Sequence, residues 1–125
     1  MKSVFIIAIV AFAMIGVMIP SSFAESTYVI EPAIGSAEPG CEWTEQGCYT
    51  PKILSVNKGD TVIFSNTDSA AHTFTSGNPP IGPSGVFDSS LLMAGLDYSF
   101  TFNDAGNYDY FCMVHPWMVG SVTVN

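Results

Sequence analysis

Asn107-Tyr108-Asp109-Tyr110-Phe111-Cys112-Met113-Val114-His115-Pro116-Trp117-Met118-Val119-Gly120-Ser121-Val122-Thr123-Val124 runs almost to the end of the 125-residue chain. Its first part alternates, with Tyr108, Tyr110 and Cys112 on one face, and Gly120 to Val124 alternates again. Two alternating runs joined by a short loop predict two β-strands. The joining loop holds Cys112, His115 and Met118 in the spacing Cys-x2-His-x2-Met.

Upstream the same grammar repeats. Asp97 to Phe102 alternates, with three aromatics on one face, and Asn103-Asp104-Ala105-Gly106 predicts a hairpin turn. Thr61 to Ser65 has strand composition, and Ile53 to Val56 lies before the turn Asn57-Lys58-Gly59-Asp60. Ala71 to Thr75 is read as a strand, followed by a long loop over 77–85. Tyr28 to Ile30 makes a short strand, while Pro32, Pro39 and Gly40 keep the rest of 25–50 irregular. Outside the first two dozen residues no stretch shows helical periodicity. About seven short strands with frequent turns predict an all-β chain folded as a two-sheet β-sandwich.

Residues 1–24 stand apart. Lys2 precedes an uncharged apolar run over 4–19, Pro20 breaks it, and Ser22-Phe23-Ala24 supplies small residues at a cleavage position. This predicts a secretory signal peptide over 1–24 and an exported protein, periplasmic, pseudo-periplasmic or extracellular. The alternative is an uncleaved anchor, for which the run is somewhat short. Residues 25–125 are then one domain with an N-terminal extension over 25–50.

The chain has 3 Lys+Arg, 11 Asp+Glu and a formal net charge of −8. That excludes the basic footprint of a nucleic-acid-binding protein. With 48% hydrophobic residues it is also unlike a disordered chain. Of three cysteines, Cys41 and Cys48 flank six residues and are expected to pair in an oxidising compartment. Cys112 is left over and needs a role.

The residues around Cys112 supply one. The two histidines of the chain are His72 and His115. In a sandwich, His72 at a strand end and the loop 112–118 can meet at one pole. Two imidazoles and a thiolate in a plane, with a weak thioether above it, are the donor set of a blue-copper electron-transfer site. The predicted ligands are His72, Cys112, His115 and Met118, holding one copper that cycles between Cu(I) and Cu(II). Met113 is a competing thioether, but it neighbours the thiolate and should face the other way.

With these residues in place, the block from about Val56 to Val124 resembles the cupredoxins, or type 1 blue copper proteins. The ligand loop is most similar to that of amicyanin-type members, then of plastocyanin-type members. The segment from Ala71 to Gly77, with Phe87-Asp88-Ser89, is similar to small exported archaeal cupredoxins. The resemblance implies a Greek-key sandwich with copper at one end and His115 as the exposed ligand through which electrons pass. Two features depart from it. Thr73 stands where many plastocyanin-like members carry Asn, and residues 25–50 lie outside the common pattern.

The function expected is a one-electron carrier between redox protein partners, membrane-bound complexes among them. Docking is expected near His115, Pro116 and Trp117, with Met93 as a further member of the patch, and the carrier is read as a monomer. The alternative is a small-molecule redox enzyme, for example in nitric oxide chemistry, at an open type 1 copper site. Multicopper relatives are excluded because both histidines are already assigned. A copper store or chaperone finds no support, since no Met-rich or His-rich tract is present.

Overall fold

The computed structural model describes residues 24–125. The expected signal peptide, all but Ala24, lies outside the described residues. Nine strands form two sheets, and the only helical element among the described residues is a single 3-10 turn, Cys41–Trp43. The strands are β1 Thr27–Pro32, β2 Tyr49–Thr50, β3 Ile53–Val56, β4 Thr61–Ser65, β5 Thr75–Asn78, β6 Gly82–Asp88, β7 Asp97–Thr101, β8 Gly106–Phe111 and β9 Val119–Val124. One sheet has the order β2-β1-β4-β7 and the other β3-β9-β8-β5-β6. β1 runs parallel to β4 and β3 parallel to β9, while the other pairs are antiparallel. The all-β, two-sheet sandwich read from the sequence is therefore the fold observed.

Alternation places the core between the sheets. Val62 and Phe64 of β4, Tyr110 of β8 and Val122 and Val124 of β9 are buried. Phe64 is the hub, with ring centroids 5.1 Å from Phe74, 5.2 Å from Phe87 and 5.6 Å from Tyr110. Gly120 serves a close approach, because a Cβ there would sit 2.5 Å from the Tyr110 ring and hydroxyl.

Three local expectations are corrected. Residues 103–106 do not close a hairpin, because β7 pairs with β4 and β8 with β9 and β5. The turn carries the chain from one sheet to the other. The Tyr108 hydroxyl donates to the Asp104 carbonyl at 2.8 Å across this corner, a bond known from other β-sandwiches. Turn chemistry reports a reversal of direction, whereas the choice of sheet depends on distant partners.

Nor do Ala71 to Thr75 form a strand. His72 makes an isolated bridge with Leu92, and pairing begins only at Thr75. Finally, 77–85 is not a loop throughout, since β5 and β6 form a hairpin with a bulge between Thr75 and Gly77. Gly77, at φ 123°, tolerates a β6 backbone that would collide with a Cβ. Glycine and proline read locally as loop, but a bulged edge strand accepts both.

The extension is also more ordered than its composition implied. Tyr49–Thr50 adds β2 to the edge of β1, with Pro32 opposite Tyr49. Cys41 and Cys48 are joined as a disulfide, as expected, and Cys112 is free and buried.

Candidate metal centre

Strand β8 ends at Phe111, so Cys112 stands where the sheet gives way to the loop. The loop is pinned at both ends: the Cys112 amide donates to the Met118 carbonyl at 3.1 Å, and the Met118 amide donates to His115 at 2.9 Å. These bonds turn the segment back into β9. His72 approaches from the other side of the pole, fixed by its two backbone bonds with Leu92 at 3.1 and 2.8 Å. Asn66 braces that bridge through its side-chain amide, which donates to the carbonyls of Ala70 and Leu92.

The outcome is a compact donor set. The Cys112 Sγ lies 3.5 Å from His115 Nδ1 and 3.9 Å from His72 Nδ1, and the three donor atoms all lie within 4.8 Å of one another. Imidazole and thiolate bonds to a late first-row ion are about 2.0 and 2.3 Å, so a trigonal arrangement separates sulfur from nitrogen by about 3.7 Å. The observed 3.5 and 3.9 Å bracket that spacing, and the donor set fits an ion of this kind. Cys112, His72 and Met118 are fully buried, while His115 is half-buried. Met113, the competing thioether, is 49% exposed whereas Met118 is 0% exposed, which leaves Met118 as the inward-facing sulfur.

Asp68, behind one of the donors, escaped the sequence reading. Asp68 Oδ2 lies 2.7 Å from His72 Nε2. With a metal at Nδ1, the ring proton would sit on Nε2 and be donated to this carboxylate. Thr73 ties the two ligand segments together in place of the common Asn. Its amide donates to Cys112 Sγ at 3.3 Å, and its hydroxyl accepts from the Met113 amide at 2.8 Å. That hydroxyl continues to Thr75, 2.9 Å away, whose own hydroxyl donates to Asp88 at 3.0 Å.

The electrostatics follow from this packing. Burial alone would raise the Cys112 thiol, but hydrogen bonds from His72 and from the amides of Thr73, Val114 and His115 outweigh it and bring it below its ordinary value. Burial opposes the charged form of His72, yet the Cys112 sulfur and the Asp68 carboxylate leave it above the ordinary imidazole value. Burial and the neighbouring His72 push His115 below that value. In the metal-free chain the thiolate and the neutral His115 imidazole, both forms a metal needs, are thereby favoured.

Comparison with known proteins agrees with this chemistry. Residues 44–125 match the family described as copper binding proteins, plastocyanin/azurin family. The chain is 28% identical to the amicyanin of Paracoccus versutus over 123 residues, covering 94% of this chain and 92% of that one. It is 36% identical to the plastocyanin of Prochlorothrix hollandica over 81 residues, covering 61% and 62% of the two chains. Among solved structures, a purple cupredoxin from Nitrosopumilus maritimus superposes with a TM-score of 0.68 at 33% identity, covering 78% of this chain and 99% of that one. Relatives and donor set together support a copper electron-carrier role, and by its sequence match, its sandwich and its donors the chain belongs to the plastocyanin/azurin family of copper-binding proteins, the cupredoxins.

Proposed function

We propose that the chain is an exported one-electron carrier whose single copper is held by His72 Nδ1, Cys112 Sγ, His115 Nδ1 and the thioether of Met118. The observation that carries this reading is the convergence of three donor atoms within 4.8 Å at one pole of the sandwich. Bound there, copper supplies a Cu(I)/Cu(II) couple. The surrounding residues do the rest. Asp68 and the His72–Leu92 bridge orient one imidazole, the Thr73 amide polarises the sulfur, and the loop bonds of Cys112 and Met118 resist movement.

The half-buried His115 is the proposed point of electron entry and exit. Pro116, Met113 and Val114 in its loop are exposed, as are Leu91 and Met93 beside the Leu92 bridge. These uncharged residues suit the small, weak contacts of redox encounters. Trp117 contributes only part of its surface, because its indole N–H is donated to the Ser36 carbonyl. The partners are read as redox proteins, membrane-bound complexes among them, and the carrier as a monomer. Export is supported by the apolar leader pattern over 1–24 and by the Cys41–Cys48 disulfide. Residues 25–125 are the mature domain in this reading. The complete burial of Met118 keeps its thioether inside the protein, which fits its proposed place as a ligand of a carrier site.

Titration of the metal-free protein with Cu(II) tests the assignment. An intense thiolate-to-copper absorption saturating at one copper per chain is expected. Absence of that band with Cys112 reduced would overturn it.

A further inference from the structure

The segment between β1 and β2 reaches both ligand loops. It is closed at its base by the Ala33 amide, which donates to the Cys48 carbonyl at 2.9 Å, and closed again by the Cys41–Cys48 disulfide. From this strap the Ser36 carbonyl accepts the indole N–H of Trp117 at 2.9 Å. Cys48 Sγ touches the Trp117 carbonyl at 3.7 Å, a packing contact, because a disulfide sulfur carries no hydrogen. The Trp117 ring in turn lies 5.4 Å from that of His115. Immediately after the disulfide, the buried Tyr49 sends its hydroxyl to the Thr73 carbonyl at 3.0 Å. Its ring is wedged against Phe74 at 5.3 Å and Tyr110 at 4.8 Å.

We propose that residues 33–49 form a frame that holds the two copper-ligand loops at a fixed separation, with Tyr49 positioning the loop of His72 and the Ser36–Trp117 bond positioning the loop of His115 and Met118. This inference rests on the carrier function proposed above. Electron transfer is fast when the donors barely move between oxidation states, and the donors come from segments 40 residues apart in sequence. Thr73 couples them from within, since its amide reaches Cys112 and its hydroxyl reaches Met113. Tyr49 holds the remaining polar atom of the same residue. Among the described residues no other group donates to the Thr73 carbonyl, and Thr73 is buried. Losing the Tyr49 hydroxyl leaves that carbonyl unpaired, and a buried unpaired carbonyl drives local rearrangement. The rearrangement would loosen the Thr73 N–H bond to sulfur, returning electron density to the thiolate and favouring Cu(II).

Two variants of the full chain test the frame, Tyr49→Phe and Trp117→Phe, each removing one donor and keeping an aromatic ring. In copper-loaded Tyr49→Phe the electron self-exchange rate is expected to fall about 10-fold, the scale of losses when an outer partner of a ligand is removed. Its reduction potential is expected to drop. In the metal-free state, amide hydrogen exchange at Thr73 and Met113 is expected to accelerate in Tyr49→Phe, and at Cys112 and Met118 in Trp117→Phe. Hydrogen exchange and potential are read for Trp117→Phe because altered docking would not move them. Variants that melt earlier yet keep the wild-type potential and exchange pattern would overturn the proposal, leaving Tyr49 and Trp117 as core filling. If Tyr49→Phe does not fold, Trp117→Phe decides. If the wild-type chain gives no thiolate-copper band, the carrier reading fails, while exchange in the metal-free chain still decides the frame.

Discussion

Asp68 Oδ2 sits 2.7 Å from Nε2 of His72, whose other nitrogen faces Cys112 Sγ at 3.9 Å. A carboxylate thus stands behind one of the proposed ligands and sets which nitrogen is free to bind. Asp68→Ala is expected to lower copper affinity by about 10- to 100-fold. Competition titration against a chelator of known affinity measures it, and unchanged affinity would show that the Leu92 bridge alone orients the ring.

The same pair makes stability depend on pH in the metal-free chain. The hydrogen bond to His72 holds the Asp68 carboxyl below its ordinary value, so its contribution is present above about 3.9 and is lost as pH falls through the lowered value. His72 is raised despite its burial, so its contribution is complete below about 6.5 and fades as pH rises through the raised value. The melting-temperature difference between wild type and Asp68→Asn is therefore expected to be largest between about pH 4 and 6.5. It should shrink on either side. Calorimetry of the reduced, metal-free proteins across that range tests it, and a difference that is flat with pH would remove the ion pair from the account.

Cys112→Ala is expected to abolish the intense absorption of the copper-loaded protein, because the thiolate is its source. A variant that keeps the colour would place the metal elsewhere.

Met118→Leu is expected to retain copper and to raise the reduction potential, since loss of a weak thioether donor destabilises Cu(II) more than Cu(I). Voltammetry reads the shift. An unchanged potential and spectrum would mean that the buried thioether serves packing only.

Gly120→Ala probes the fold beneath the site. Its Cβ would meet the Tyr110 ring and hydroxyl at 2.5 Å, and overpacking of this kind costs about 1–3 kcal/mol. In a domain of this size each kcal/mol lowers the melting temperature by about 4–8 °C. A melting temperature within a degree of wild type would show that Tyr110 can swing away.

Much of this protein is legible without coordinates. Alternation in Asp97 to Phe102, Asn107 to Cys112 and Gly120 to Val124 marks strands, because a pleated strand sorts its own side chains every second residue. Cys112, His115 and Met118 announce themselves because one short loop carries all three. The nearest-neighbour chemistry of such segments determined the fold class and the candidate donors. Partner choice was not written there. That β7 and β8 enter different sheets depends on Phe64 and Val62 awaiting one strand and Val122 and Val124 the other, contacts far apart in sequence. Asp68 behind His72, Thr73 between the ligand segments and Tyr49 reaching Thr73 across 24 positions each depend on side chains meeting in space. Local periodicity cannot encode these meetings, since each exists only once the two sheets have closed on a common core. Only the tertiary structure decided how firmly the proposed copper ligands are held.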